Sequence, residues 1–129
     1  LQQIAREVKG APLILFARGA WHSLEALSQT GAAALGLGWQ TSPEFARRSL
    51  GSAITLQGNL DPAVLLSSEG EVRTRTRAML EAFGPQRYIA NLGHGILPET
   101  PVEHARAFIE TVQSYYTKGS AVSAVEGTN

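Results

Sequence analysis

Four times along this chain a short apolar run is followed, within a few residues, by a segment of helical spacing. The runs are "APLILFA" (11–17), "AAALGLGW" (32–39), "SAITLQGN" (52–59) and "RYIANL" (87–92). Continuous apolar stretches of this length, set between glycine, serine and proline, predict strands, and 11–17 reads as one buried on both faces. The alanines make the second run the weakest. The segments between the runs carry helix start and stop chemistry. "AWHSLEALSQTG" (20–31) places Trp21, Leu24, Leu27 and Ser28 at helical spacing and ends on Gly31. "SPEFARRSLG" (42–51) offers Ser42 as N-cap, Pro43 at the first helical position and Gly51 as terminator. Asp61 and Pro62 open a short helical turn. Ser68 and Glu71 form a capping-box pattern for a longer helix to Phe83, whose buried stripe is Val72, Thr76, Met79, Leu80 and Phe83. The last helix has the capping-box pattern Thr100 and Glu103, with Pro101 at its first position. It is expected to run to about Tyr116 with Val102, Ala105, Ile109, Val112 and Tyr116 as its core face. Residues 117–129 lack a strong period and read as a flexible tail after a domain spanning 1–116.

Repeated strand–helix units imply parallel strands, because each helix returns the chain to the edge from which the strand started. Two architectures satisfy this: a small open doubly wound sheet, and part of a (β/α)8 barrel. A whole barrel takes roughly 250 residues, so four units in 129 residues make about half of one. No G-x-G-x-x-G or phosphate-loop pattern follows any run, which weakens the nucleotide-binding form of the open sheet. A half barrel leaves two strand edges unpaired, so further strands are expected to complete it. The chain opens at Leu1 on helical material, "LQQIAREVKG", and its one methionine is Met79; it reads as a piece that begins in mid-protein.

The composition removes several functions. Eleven basic and eleven acidic residues cancel, so no overall field draws the chain to nucleic acid or to a membrane surface. No apolar run is long enough to span a bilayer, and none follows a basic segment as in a signal peptide. With no cysteine there is no disulfide, thiolate nucleophile or cysteine metal site, which is compatible with a reducing compartment. The expected location is cytoplasmic.

One segment stands apart. "RYIANLGHGILPETP" (87–101) ends its apolar run in a histidine between two glycines, in a chain with three histidines. His94 lies just past the fourth strand, at the C-terminal end where active-site groups collect in parallel α/β folds. Gly93 and Gly95 are expected to let the backbone bend and a ligand approach. An imidazole there can donate to a carboxylate when protonated, or exchange a proton; it can equally be a turn residue bonded locally. Arg18, directly after the first strand in "LFARGAW", shares the same rim and suits an anionic substrate, or simply faces water. Asn59 in "LQGNLDP" has a similar rim position, whereas Asp61 is accounted for as an N-cap. His22 and His104, on helices and off the apolar stripes, read as solvated, as do the pairs Arg73/Arg77 and Arg47/Arg48. No histidine pair has metal-ligand spacing, and no metal site is expected.

"LFARGAW", "GLGWQTSPEFARRSLG", "LQGNLDP" and "NLGHGILPETPVEHA" together resemble, in order and spacing, the C-terminal part of the uroporphyrinogen decarboxylase family, from about Gly10 to about Tyr116. That resemblance implies a (β/α)8 barrel, a homodimer, and a deep cleft at the C-terminal face of the strands. It also implies removal of carbon dioxide from the four acetate side chains of uroporphyrinogen III, giving coproporphyrinogen III on the way to haem and chlorophyll, without metal or organic cofactor. Protonating a pyrrole carbon turns the ring into an electron sink for the departing carboxylate, while arginines and a histidine hold the substrate's other carboxylates. Of the family's site residues only that histidine falls within this chain, on His94, and the resemblance gives it substrate contact rather than the main proton transfer. The family's key arginines, its pyrrole-binding aspartate and its active-site tyrosine belong to earlier parts. A departure is Gly38, in "LGLGW", where the family usually has aspartate. Two other readings stand beside this one. One is a methyltransferase of the same superfamily, which would want histidine and cysteine ligands for zinc. The other is a non-catalytic half barrel that completes itself with a partner or a second copy.

Overall fold

The computed structural model describes residues 2–125. A short helix, α1 (Gln2–Glu7), precedes β1 (Ile14–Phe16). A single 3-10 turn (Trp21–Ser23) and α2 (Leu24–Ser28) lead to β2 (Ala34–Gly36), α3 (Pro43–Leu50) and β3 (Thr55–Leu60). A second 3-10 turn (Pro62–Leu66), α4 (Glu69–Phe83), β4 (Tyr88–Leu92) and α5 (Val102–Val125) complete the order.

The four strands pair in parallel, in chain order β1-β2-β3-β4. This order decides between the two architectures. A doubly wound sheet reverses direction part-way, whereas unbroken consecutive order under right-handed crossovers puts every helix on one face. The burial agrees. One register row, Leu15, Leu35, Leu56 and Tyr88, packs into a core with Leu24, Ala46, Val72, Leu80 and Phe83 of the helices. On the other face Ile14, Phe16 and Ile89 remain 46%, 45% and 41% exposed. The molecule is a singly wound α/β arc of the barrel type, helices outside and the inner face bare.

Helix starts follow the sequence closely. Ser42 Oγ accepts from the Phe45 N–H at 3.1 Å and Gly51, at φ 67°, ends α3. Asp61 accepts from the Ala63 N–H at 2.9 Å. Ser68 accepts from the Glu71 N–H at 3.3 Å, while the Glu71 carboxylate turns to Arg75 at 2.7 Å instead of closing the box. The α4 stripe Val72, Thr76, Met79, Leu80 and Phe83 is buried as expected.

Elsewhere tertiary packing overrides the pattern. β1 is an edge strand and is not covered on both faces. α2 is shorter than its pattern, opening as the 3-10 turn, with Trp21 52% exposed. Among the described side chains of α5, Ala107 and Thr111 are buried; of the expected face Val112 and Tyr116 pack against the core, with Phe108, whereas Val102 and Ile109 are 68% and 52% exposed. The face is turned by about 100°, one residue's step. Small Ala107 and Thr111, the latter donating to the Ala107 carbonyl at 2.7 Å, are fully covered in a helix that packs along α4. The Thr100 hydroxyl is buried without a partner and does not cap this helix. The Pro101 carbonyl takes the first bonds, from His104 and Ala105, so proline stands at the N-cap, one place earlier than expected. The tail expected from residue 117 is helical through Val125; residues 126–129 lie outside the described residues.

Three side chains read as solvated have structural work. Arg47 donates to the carbonyls of Ile54, Gln86 and Arg87 at 3.3, 3.0 and 3.1 Å, tying α3 to the lower ends of β3 and β4. Arg73 pairs with Glu110 of α5 at 2.8 Å. His104 Nδ1 lies 2.8 Å from the Leu65 carbonyl, joining α5 to the 3-10 turn after β3.

Candidate functional site at the strand ends

The C-terminal ends of β1 to β4 carry the turns where parallel α/β proteins place their chemistry. The centre of this rim is the end of β3. Asn59, 7% exposed, donates through Nδ2 to the carbonyls of Gly38 at 3.0 Å and Thr41 at 2.5 Å. The Thr41 N–H closes the same turn on Gly38 O at 3.0 Å. Next along β3, the Leu60 carbonyl accepts from the Gly93 N–H at 2.7 Å. The peptide Gly58–Asn59 is cis, and Gly58 at φ 138° passes so near Leu37 that a Cβ would meet its carbonyl oxygen at 2.9 Å.

His94 follows Gly93 directly and is exposed in the turn after β4. The chain bends at Gly93 and His94, and neither flanking glycine has a positive φ. A Cβ on Gly93 would lie 2.3 Å from the Trp39 nitrogen and 2.6 Å from its Cα, so glycine here permits backbone contact between two rim turns. Gly95 has no atom within 4 Å of where its Cβ would be. Arg18 is exposed two residues beyond β1. His94 and Arg18 thus share one rim but belong to opposite edges of the sheet. Three strand spacings, roughly 14 Å, separate them, and the fold does not bring them into contact.

Other groups complete the picture. Trp21, Gln40, Thr41, Ser42 and Phe45 line a cleft of about 320 Å³ beside the α3 N-terminus, with the Trp21 and Phe45 rings edge to face at 6.2 Å. At Gly38 a Cβ would meet nothing within 4 Å, so an aspartate would fit and packing does not impose the glycine. His22 is exposed against the Trp21 ring. Proton affinity is displaced at side chains packed against the sheet. Burial raises the Tyr88 phenol, which donates to the Gly58 carbonyl, and burial lowers the Arg47 guanidinium. Among the described residues no three histidine, aspartate or glutamate side chains gather as a metal site would require, and no helix is long and apolar enough to cross a membrane.

The rim thus carries one exposed guanidinium and one exposed imidazole, with the turns after β2 and β4 locked together beside the imidazole. Residues 1–115 match the family model described as uroporphyrinogen decarboxylase (URO-D). The chain belongs to the uroporphyrinogen decarboxylase family. It is 47% identical over 116 residues to the uroporphyrinogen decarboxylase of Christiangramia forsetii, covering 89% of this chain and 34% of that protein. The human uroporphyrinogen decarboxylase is 41% identical over 124 residues, again 89% of this chain and 34% of the relative. The chain therefore spans about a third of the length of the curated relatives it matches. A methyltransferase from Methanosarcina mazei shares the fold, with a TM-score of 0.76 at 21% identity, over 89% of this chain and 34% of that structure.

Asn59 was visible in the sequence only as a rim position. Its acceptors lie 18 and 21 residues earlier in the chain, beyond the reach of any local pattern. Nothing in the spacing marked the Trp21–Phe45 cleft.

Proposed function

We propose that this chain is the closing portion of a uroporphyrinogen decarboxylase barrel and that its rim helps hold the tetrapyrrole. The observation that carries the reading is the family match over residues 1–115 joined to an exposed imidazole at the end of β4. The substrate is uroporphyrinogen III, a flexible macrocycle bearing eight carboxylates, and the product is coproporphyrinogen III. Decarboxylation at each acetate needs a protonated pyrrole carbon to take the electron pair released with carbon dioxide. No group of this chain is assigned to that proton transfer. His94 and Arg18 serve instead as carboxylate contacts, the arginine through its forked donors and the imidazole as a single donor when protonated. Spaced across the sheet, they suit two carboxylates of one large ring better than a bidentate grip on one.

The bare inner face and unpaired outer edges of β1 and β4 support completion by further strands of a longer protein. The same reading makes the enzyme a cytoplasmic homodimer that uses no cofactor. The methyltransferase alternative gains no support from the Methanosarcina structure, whose low identity speaks for the fold alone. The test is conversion of uroporphyrinogen III by the complete protein containing this chain, followed as coproporphyrinogen and released carbon dioxide. Turnover is the expected result. A folded, complete protein that binds no uroporphyrinogen would overturn the proposal.

A further inference from the structure

We propose that Asn59 is a positioning residue for substrate binding, acting through Trp39 and Gly93 on the placement of His94. The inference rests on the decarboxylase reading and extends it to a residue that touches no substrate. The two Asn59 hydrogen bonds go to Gly38 and Thr41, the residues that bracket Trp39 in its turn. Trp39 in turn is the backbone against which Gly93 is pressed, with no room for even one added carbon. Gly93 is held from the other side by the Leu60 carbonyl, the residue next to Asn59. The end of β3 thus fixes both the turn after β2 and the start of the turn after β4, and His94 is the first side chain beyond that frame.

The chemistry of the amide suits this task. Both partners are carbonyl oxygens, so the position requires two N–H donors on one short side chain, and asparagine supplies them. Aspartate has the same shape but no donor and would put a charge against two carbonyls. Serine has one donor and cannot span both. Groups that hold a metal-binding side chain from behind commonly cost 10- to 100-fold in affinity or activity when removed, and the same reasoning extends to a side chain that contacts substrate, because a displacement of about 1 Å is already costly.

The experiment is a double-mutant cycle in the complete protein, with KM, kcat and melting temperature measured for uroporphyrinogen III. Asn59→Ser is expected to raise KM about tenfold with a much smaller change in kcat. In a His94→Ala background the same substitution is expected to change KM less than about twofold, since the group it positions is gone. A purely structural asparagine would instead lower the melting temperature and the active fraction while leaving KM of the surviving enzyme unmoved, and that result overturns the inference. So does a KM penalty that is equally large in both backgrounds. Should Asn59→Ser not fold, Asn59→Asp, which keeps the shape and removes both donors, carries the same two expectations. If His94→Ala alone leaves KM unchanged, the site reading and this inference both fall. If His94→Ala raises KM and neither Asn59→Ser nor Asn59→Asp does, this inference alone falls.

Discussion

At the lower end of the sheet, where the strands begin, the Arg47 guanidinium reaches three backbone carbonyls on two neighbouring segments. At the upper end, where the strands finish, Arg18 and His94 are exposed and make no hydrogen bond or ion pair among the described residues. Both ends carry cations, and they use them in opposite ways. Below, the charge is spent on the protein's own backbone, and burial lowers its proton affinity while leaving it charged. Above, the side-chain donors face solvent. The turn that carries His94 is nevertheless held from below, since Asn59 and Gly93 tie the turns after β2 and β4 together. Under the proposed reading, a donor without an internal partner on a fixed support suits a polyanion, and the same donor in a mobile loop would lose affinity to the entropy of ordering it.

The contrast is open to attack at each end. Replacing the lower cation, Arg47→Met, is expected to have the largest effect on stability, about 2 kcal/mol in denaturant unfolding of the complete protein, with KM for uroporphyrinogen unchanged. A rise in KM as large as the stability loss would erase the division of labour. Replacing the upper imidazole, His94→Ala, is expected to weaken substrate binding about tenfold, worth ~1.4 kcal/mol, with unfolding moved by less than about 0.5 kcal/mol. The smallest change is expected from Arg18→Ala, a loss of affinity of about threefold that shrinks as salt is added, because an exposed ion pair is screened. Salt-independent loss at this position would place Arg18 in a buried contact and not on an open rim.

How much of this was legible beforehand differs by element for physical reasons. The α4 stripe matched its pattern residue for residue and Ser68 caps as expected, though Glu71 turned to Arg75, because cap and stripe are local and a long helix averages out context. The strands were found, but the bare face of β1 was not, since an apolar run looks the same whether one face or two are covered. α5 turned by one residue, with Ala107 and Thr111 covered where it packs along α4, and a scale of hydrophobicity undervalues small side chains at a helix contact. At the rim, His94, Arg18 and the capping role of Asp61 could be placed from strand ends alone. The tasks of Asn59, Arg47 and His104 could not, for each involves at least one carbonyl 18 or more residues away in the chain, and up to 40 for Arg47. Short motifs mark where a polar residue stands; only the fold says which backbone it meets.

The central claim is that the lone imidazole at the end of β4 grips an acidic macrocycle from a frame that does not depend on it. Isothermal titration of the complete protein and its His94→Ala form with uroporphyrin, the unreactive oxidised ring with the same eight carboxylates, measures this with no catalytic step involved. About tenfold weaker binding at an unaltered melting temperature is the predicted result. Equal affinities for the two proteins would contradict it.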